Sequence, residues 1–211
     1  MTDRTLLRAA GVLYLITFAT SIPALALKRP YLTGEAMASA DALRWAAALE
    51  LLLALACIGT AVALHPVLSR HDPALTLGFV ASRTLEAGII AVGVIAMLAV
   101  LSVGGAQSPG GPALVALHDW AFLIGPGTLP AVNALLLAPV LLRANLLPRG
   151  IPWLGLIGAP VLLAAVLGEL LGWFDQVSIW GGVASLPIAL WELSLGLWLA
   201  IGPARSTRPL P

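Results

Sequence analysis

The sequence predicts an all-α polytopic membrane protein, a bundle of six transmembrane helices with the N- and C-termini both inside, and two observations carry that expectation. Of 211 residues, 60% are apolar and only 10% charged, with a mean hydropathy of +0.99. Soluble domains carry about a quarter charged residues, so so few charges cannot give a globule a water-compatible surface. The apolar residues also come in runs of twenty or more, the length that crosses ~30 Å of hydrocarbon. Soluble enzymes, nucleic-acid binders and disulfide scaffolds are excluded at this step. No block of Lys or Arg suits a polyanion, and the single cysteine, Cys57, leaves no intrachain disulfide and reads as a small packed hydrophobe.

Charged and turn-forming flanks mark off the spans at about 9–27, 42–68, 74–103, 113–142, 151–173 and 180–202. The runs are continuous and Leu/Ala-rich, without the alternation of a barrel strand. No segment between them is long enough to fold alone, so residues 1–211 form one transmembrane domain. With the N-terminus inside, the cytoplasmic segments hold Arg4, Arg8, Arg70, Arg143, Arg149, Arg205 and Arg208, against Lys28, Arg29 and Arg44 outside. That excess favours both termini in the cytoplasm. Arg4, Arg8 and Ala24-Leu25-Ala26 also suit a signal peptide, but Tyr14, Thr17, Thr20 and Ser21 make the run polar for an h-region, which favours a retained helix. Trp45, Trp120, Trp153, Trp173 and Trp180 fall near span ends, as an interfacial aromatic belt requires. A short echo between Ala48–Leu53 and Leu190–Leu195 is too brief to support a duplication.

The informative residues are the ionisable ones far from any span end: Glu50, Arg83, Glu86, His118, Asp119 and Glu192, with Asn133 as a polar companion. A charge at a helix centre costs roughly 2.5–3.5 kcal/mol on insertion scales, so the five charged ones facing lipid would cost about 12–17 kcal/mol together. A marginally stable fold cannot carry that, so these side chains are expected to turn inward and meet. Arg83 and Glu86 stand three apart and can pair on one helix face. His118 and Asp119 diverge by about 100° and should reach different neighbours, while Asn133 returns to nearly the face of Asp119 four turns later. Four carboxylates from four helices against one Arg and one His call for protonated acids or a bound cation. No metal is expected, since the metal-ligand spacings H-x-x-E and H-E-x-x-H are absent, and no cofactor motif occurs.

Gly125-Pro126-Gly127-Thr128-Leu129-Pro130 falls mid-span. Pro126 removes a backbone donor and Gly125 and Gly127 loosen the same turn, so a kink or break of the helix is expected there, with Pro130 beyond it. Such backbone is tolerated at membrane depth where it is buried or lines a cavity. Gly155-x-x-Gly158 and Gly168-x-x-x-Gly172 fit close helix packing within one chain or in a homo-oligomer.

Several pieces together resemble a known family. They are Arg8-Ala9-Ala10-Gly11-Val12-Leu13-Tyr14-Leu15-Ile16-Thr17, Arg83-x-x-Glu86, Leu117-His118-Asp119-Trp120, Asn133 with its Leu-rich sequel, Leu147-Pro148-Arg149, Leu154-Gly155-Leu156-Ile157-Gly158 and Pro187-x-x-x-Trp191-Glu192. In this order they are similar to the bacterial membrane-protein family called domain of unknown function 4386. The resemblance implies a multi-span protein of the bacterial inner membrane and no particular activity.

Three functions fit the residues. The leading one is binding or permeation of a small solute or proton, with Arg83 anchoring an anionic group or neutralising Glu86 and Glu192 or Asp119 exchanging the proton. The second is an intramembrane enzyme acting on lipid, with His118 and the acids as metal ligands or general base. The third is a non-catalytic partner whose charges only specify helix pairing. The residues lean away from an enzyme, and the only partner they require is the lipid bilayer.

Overall fold

The computed structural model describes residues 2–35, 39–175 and 178–202, and among these it contains helices and no strands. The helices are α1 (Asp3–Leu32), α2 (Ala40–Leu68), α3 (Pro73–Ser102), α4 (Gly111–Phe122), α5 (Leu129–Ala144), α6 (Gly150–Leu170) and α7 (Ile179–Ile201). A π-helical stretch, Leu123–Thr128, joins α4 to α5 into one 34-residue span, Gly111–Ala144. Among the described residues, six helices are therefore long and apolar enough to cross a membrane. Arg205 and Arg208, two of the charges used to orient the chain, lie outside the described residues.

Local chemistry sets several of the ends. Thr2, Ser39, Asp72 and Ser178 each accept a bond from a backbone N–H three residues on, capping α1, α2, α3 and α7. Asn145 closes α5 in the left-handed conformation. The main departure from expectation is α1, which runs to Leu32 and so carries Lys28 and Arg29 inside the helix instead of in the following loop. Pro23 and Pro30 lie within it and do not end it.

The spans form a closed ring. Each packs on its sequence neighbours, α3 reaches both α4 and α5, and α1 closes on α7. The closure depends on two small residues: a Cβ on Gly11 would lie 2.3 Å from the backbone N of Ala200, and one on Gly196 3.0 Å from the Cβ of Tyr14. Only glycine lets these backbones touch. Gly155 and Gly158 face Trp191 and Pro187 of α7, so they serve packing within the chain. Gly168 lies against Phe174, and Gly172 is the left-handed residue beyond α6.

These contacts also define two ends. Arg70, between α2 and α3, grips Asp3 through two 2.8 Å bonds, and the last turn of α7 meets Gly11. This is the near end. At the far end Gly34 lies against Gln107, and α7 begins. The five tryptophans of the proposed belt are exposed, whereas Trp191 is fully buried.

Candidate functional site

The ring interior holds the ionisable residues in two groups, not one. The first is built on α3. Arg83 and Glu86 share a helical face, and the Arg83 Nη1 donates to Glu86 Oε2 over 2.9 Å. Asn133 Nδ2, from α5, donates to the same Oε2 over 2.7 Å. From α7, Glu192 Oε1 stands 3.6 Å from Arg83 Nη1, an ion pair too long for a hydrogen bond. Beneath the guanidinium lies the ring of Tyr14, 4.9 Å from its carbon, in cation–π contact. Arg83 is 2% exposed, which makes it one of the largest fully buried side chains of the protein.

This group is incompletely paired. Arg83 Nε and Nη2, Glu192 Oε1, Asn133 Oδ1, Tyr14 Oη and Trp191 Nε1 are buried without a hydrogen-bond partner. Each such atom costs roughly 1–3 kcal/mol if nothing meets it. Arg83, Glu86 and Glu192 all line a cavity of about 360 Å³, a size within the range of small-molecule sites. Its remaining wall is mainly apolar, from Leu25, Leu53, Ile90, Leu162, Val166 and Ile188.

The second group was only half legible. Glu50 does not reach Arg83; it accepts a 2.5 Å bond from Lys28 Nζ, with both side chains buried. Lys28 also sits 4.5 Å above the centre of the Phe122 ring. Extension of α1 beyond its expected end is what brings Lys28 inside, and the signal was in the sequence: an inward Glu50 needs a cation. Lys28, Glu50 and His118 line a second cavity of about 240 Å³. The two cavities share Ser21, Leu25, Leu53, Ile90, Phe122 and Pro126, so they adjoin across the π stretch.

His118 and Asp119 depart from expectation. Adjacent in sequence, the two bond to each other: His118 Nδ1 donates to Asp119 Oδ1 over 3.0 Å. His118 is buried, but the Asp119 side chain is 54% exposed and points away from the ring interior. Asp119 therefore does not belong to the inner cluster. Nor does Asn133 share its face, since Asn133 is fully buried. The reason is the π stretch, whose wider turns insert extra residues and rotate everything beyond them.

The expected kink takes that same form. Through Gly125, Pro126 and Gly127 the helix widens without breaking, and Thr128 Oγ1 donates to the Leu123 carbonyl over 2.8 Å. Pro126 lacks an N–H, and the π turn accommodates this in the wall of both cavities. Pro130 lies in the first turn of α5 and lines the larger cavity. Among the described residues no three of His, Cys, Asp and Glu stand together as a metal-ligand set.

A ring of six apolar helices around buried ion pairs defines an integral membrane protein of the multi-pass class. The profile of the family described as Domain of unknown function (DUF4386) matches residues 9–202, and the chain belongs to that family. Neither a curated protein nor a solved structure gave a match.

Proposed function

We propose that the protein binds a small hydrogen-bonding solute at Arg83, inside a bacterial cell membrane with its termini in the cytoplasm, and that Glu192 carries an exchangeable proton there. One observation supports this above the others: a fully buried guanidinium with two nitrogens, Nε and Nη2, that have no hydrogen-bond partner lines a 360 Å³ cavity together with Glu192, whose Oε1 has only the 3.6 Å ion pair to Arg83. Charge balance points the same way. Glu86 and Glu192 share the single cation Arg83, so one carboxylate needs a proton or a counter-ion. Glu86 accepts two hydrogen bonds, which leaves Glu192 as the exchanging acid.

The geometry favours binding over an open pore. Toward the near end the site is closed by Tyr14 and Trp191, both fully buried, and by the contact of Gly11 with α7. Infrared spectroscopy of the protein in lipid nanodiscs tests the reading. A protonated-carboxyl C=O band, absent in Glu192→Gln, should shift within minutes of transfer to D2O. A band that stays unshifted would mean a proton sealed away from solvent, and no such band would mean a fully ionised structural pair; either would overturn the proposal.

A further inference from the structure

The wall of the Arg83 cavity leads out of the ring in one direction. α1 and α7 touch in their near halves, at Gly11, Tyr14, Gly196 and Ala200. Beyond Tyr14 the cavity lies between them, lined by Thr17, Ser21 and Leu25 on α1 and by Ser178, Gly182 and Ser185 on α7. Ile179–Pro187, the far half of α7, contains no buried residue; Pro187 packs on Gly158 of α6, and Ile188 is the first residue to be buried. Leu25 and Gly182 line the cavity and are also exposed at the surface. The path from Ser178 to Glu192 follows α7 for about 21 Å at 1.5 Å per residue. In a multi-pass membrane protein, an exposed gap between two spans faces acyl chains. Whatever uses this path starts in the bilayer.

The chemistry of the inner end restricts the head group. The unpaired atoms include donors, Arg83 Nε and Nη2, and an acceptor, Glu192 Oε1. Arg83 is already matched by Glu86, with Glu192 as a second carboxylate. With the proton on Glu192, Arg83 and Glu86 balance each other, so a charged head of either sign would bring an uncompensated charge into the membrane interior. A neutral hydroxyl or carbonyl head avoids this. A hydroxyl bridging the two side chains can accept from the Arg83 guanidinium and donate to the Glu192 carboxyl group, which at 3.6 Å are too far apart for a direct bond.

Resting on the reading of this cavity as a binding site, we infer that its ligand is a neutral single-chain amphiphile drawn laterally from the bilayer. The hydroxyl or carbonyl head seats between Arg83 and Glu192, and the chain lies along Leu25, Leu162, Val166 and Ile188 in the gap between α1 and α7.

Photolabelling in nanodiscs tests this. The probe is a decanol derivative with a diazirine at mid-chain, and labelled peptides are mapped by mass spectrometry. Saturable labelling should concentrate on Thr17–Leu25 and Ser178–Ile188. Unlabelled decanol should compete at about tenfold lower concentration than decane, the difference that one well-made hydrogen bond gives. Glu192→Leu should remove that preference, and Ala189→Phe, which fills the cavity from α7, should suppress the saturable component in protein that still elutes as a single folded species. Uniform, non-saturable labelling of the whole lipid face would overturn the inference, as would equal competition by decane. Stronger competition by decanoate or decylammonium would overturn it in favour of a charged ligand. If Glu192 exchanges its proton in D2O while labelling is uniform, the solute site stands and the amphiphile does not.

Discussion

Lys28 Nζ lies 2.5 Å from Glu50 Oε1, and the two side chains are 3% and 9% exposed. The pair ties the far end of α1 to α2 across the smaller cavity. Removing one member leaves an uncompensated charge inside the membrane, which typically costs 3–5 kcal/mol, whereas replacing both by apolar or neutral residues of similar size is often neutral. Lys28→Met and Glu50→Gln should therefore each destabilise strongly, and the double variant should recover most of the loss. Reversible unfolding in mixed micelles, run as a double-mutant cycle, measures this. Additive losses would show that the two residues do not depend on each other.

Cys57 is 1% exposed yet lines the Arg83 cavity. As the sole thiol of the chain it reports on that space without any engineering. N-ethylmaleimide, small and uncharged, should modify it slowly in the folded protein, while a maleimide on a bulky or charged carrier should not. Filling the space with Ala189→Phe should slow the small reagent by about tenfold or more, a barrier increase near 1.4 kcal/mol. Mass spectrometry of the intact protein over time gives both rates. Equal rates for the small and bulky reagents would mean that labelling follows unfolding and not access through the cavity.

Acid should loosen the near end. Asp72 caps α3, accepting from the backbone N–H of Leu75 over 3.0 Å, and it also pairs with Arg143 at the end of α5. The cap bond first, and the Arg143 charge after it, hold its carboxyl below the usual 3.8. A lowered value means that the folded form prefers the ionised group, so this contribution is complete above 3.8 and disappears as pH falls through the lower folded value. Melting temperature should then drop on the acid side of pH 4 in the wild type. Asp72→Asn, which can still cap but cannot pair with Arg143 as an ion, should show a shallower acid decline and a lower plateau above it. Identical acid limbs would show that Asp72 carries none of the effect.

How much of this was legible follows from the physics of each feature. The six spans come from the cost of burying backbone and charge in hydrocarbon, which acts on every residue of a run, so the boundaries agree within a few residues except at α1. The pair Arg83–Glu86 is local, three residues apart on one helix, and spacing alone finds it. Lys28–Glu50 joins two helices 22 residues apart, and charge bookkeeping at the span ends assigned Lys28 to solvent. Asp119 and Asn133 were placed on a common face by assuming 3.6 residues per turn throughout. The Gly-Pro-Gly sequence marked a disturbance between them, but not that it would widen the helix and thereby rotate α5 relative to α4.

That rotation can be tested at Gly125. A Cβ there would lie 2.8 Å from Cγ2 of Ile89 and 3.2 Å from its Cβ, so α3 and the π stretch meet where only hydrogen fits. Gly125→Ala must push the two apart, and overpacking of this kind costs about 1–3 kcal/mol. The displaced elements carry Glu86 on one side and Pro126 on the other, and both line the larger cavity. The variant should thus be destabilised and should also change the accessibility of Cys57, whereas a fault confined to stability would leave the thiol rate untouched. Ile89→Ala removes the opposing Cγ2 and should restore a large part of both losses in the double variant, although alone it deletes partly buried apolar surface and is itself mildly destabilising. Thermal unfolding and maleimide kinetics on the two single variants and the double give the coupling directly. If Gly125→Ala is silent, the contact between the π stretch and α3 is looser than 2.8 Å implies, and the register that directs Asn133 to Glu86 must be held elsewhere in the helix.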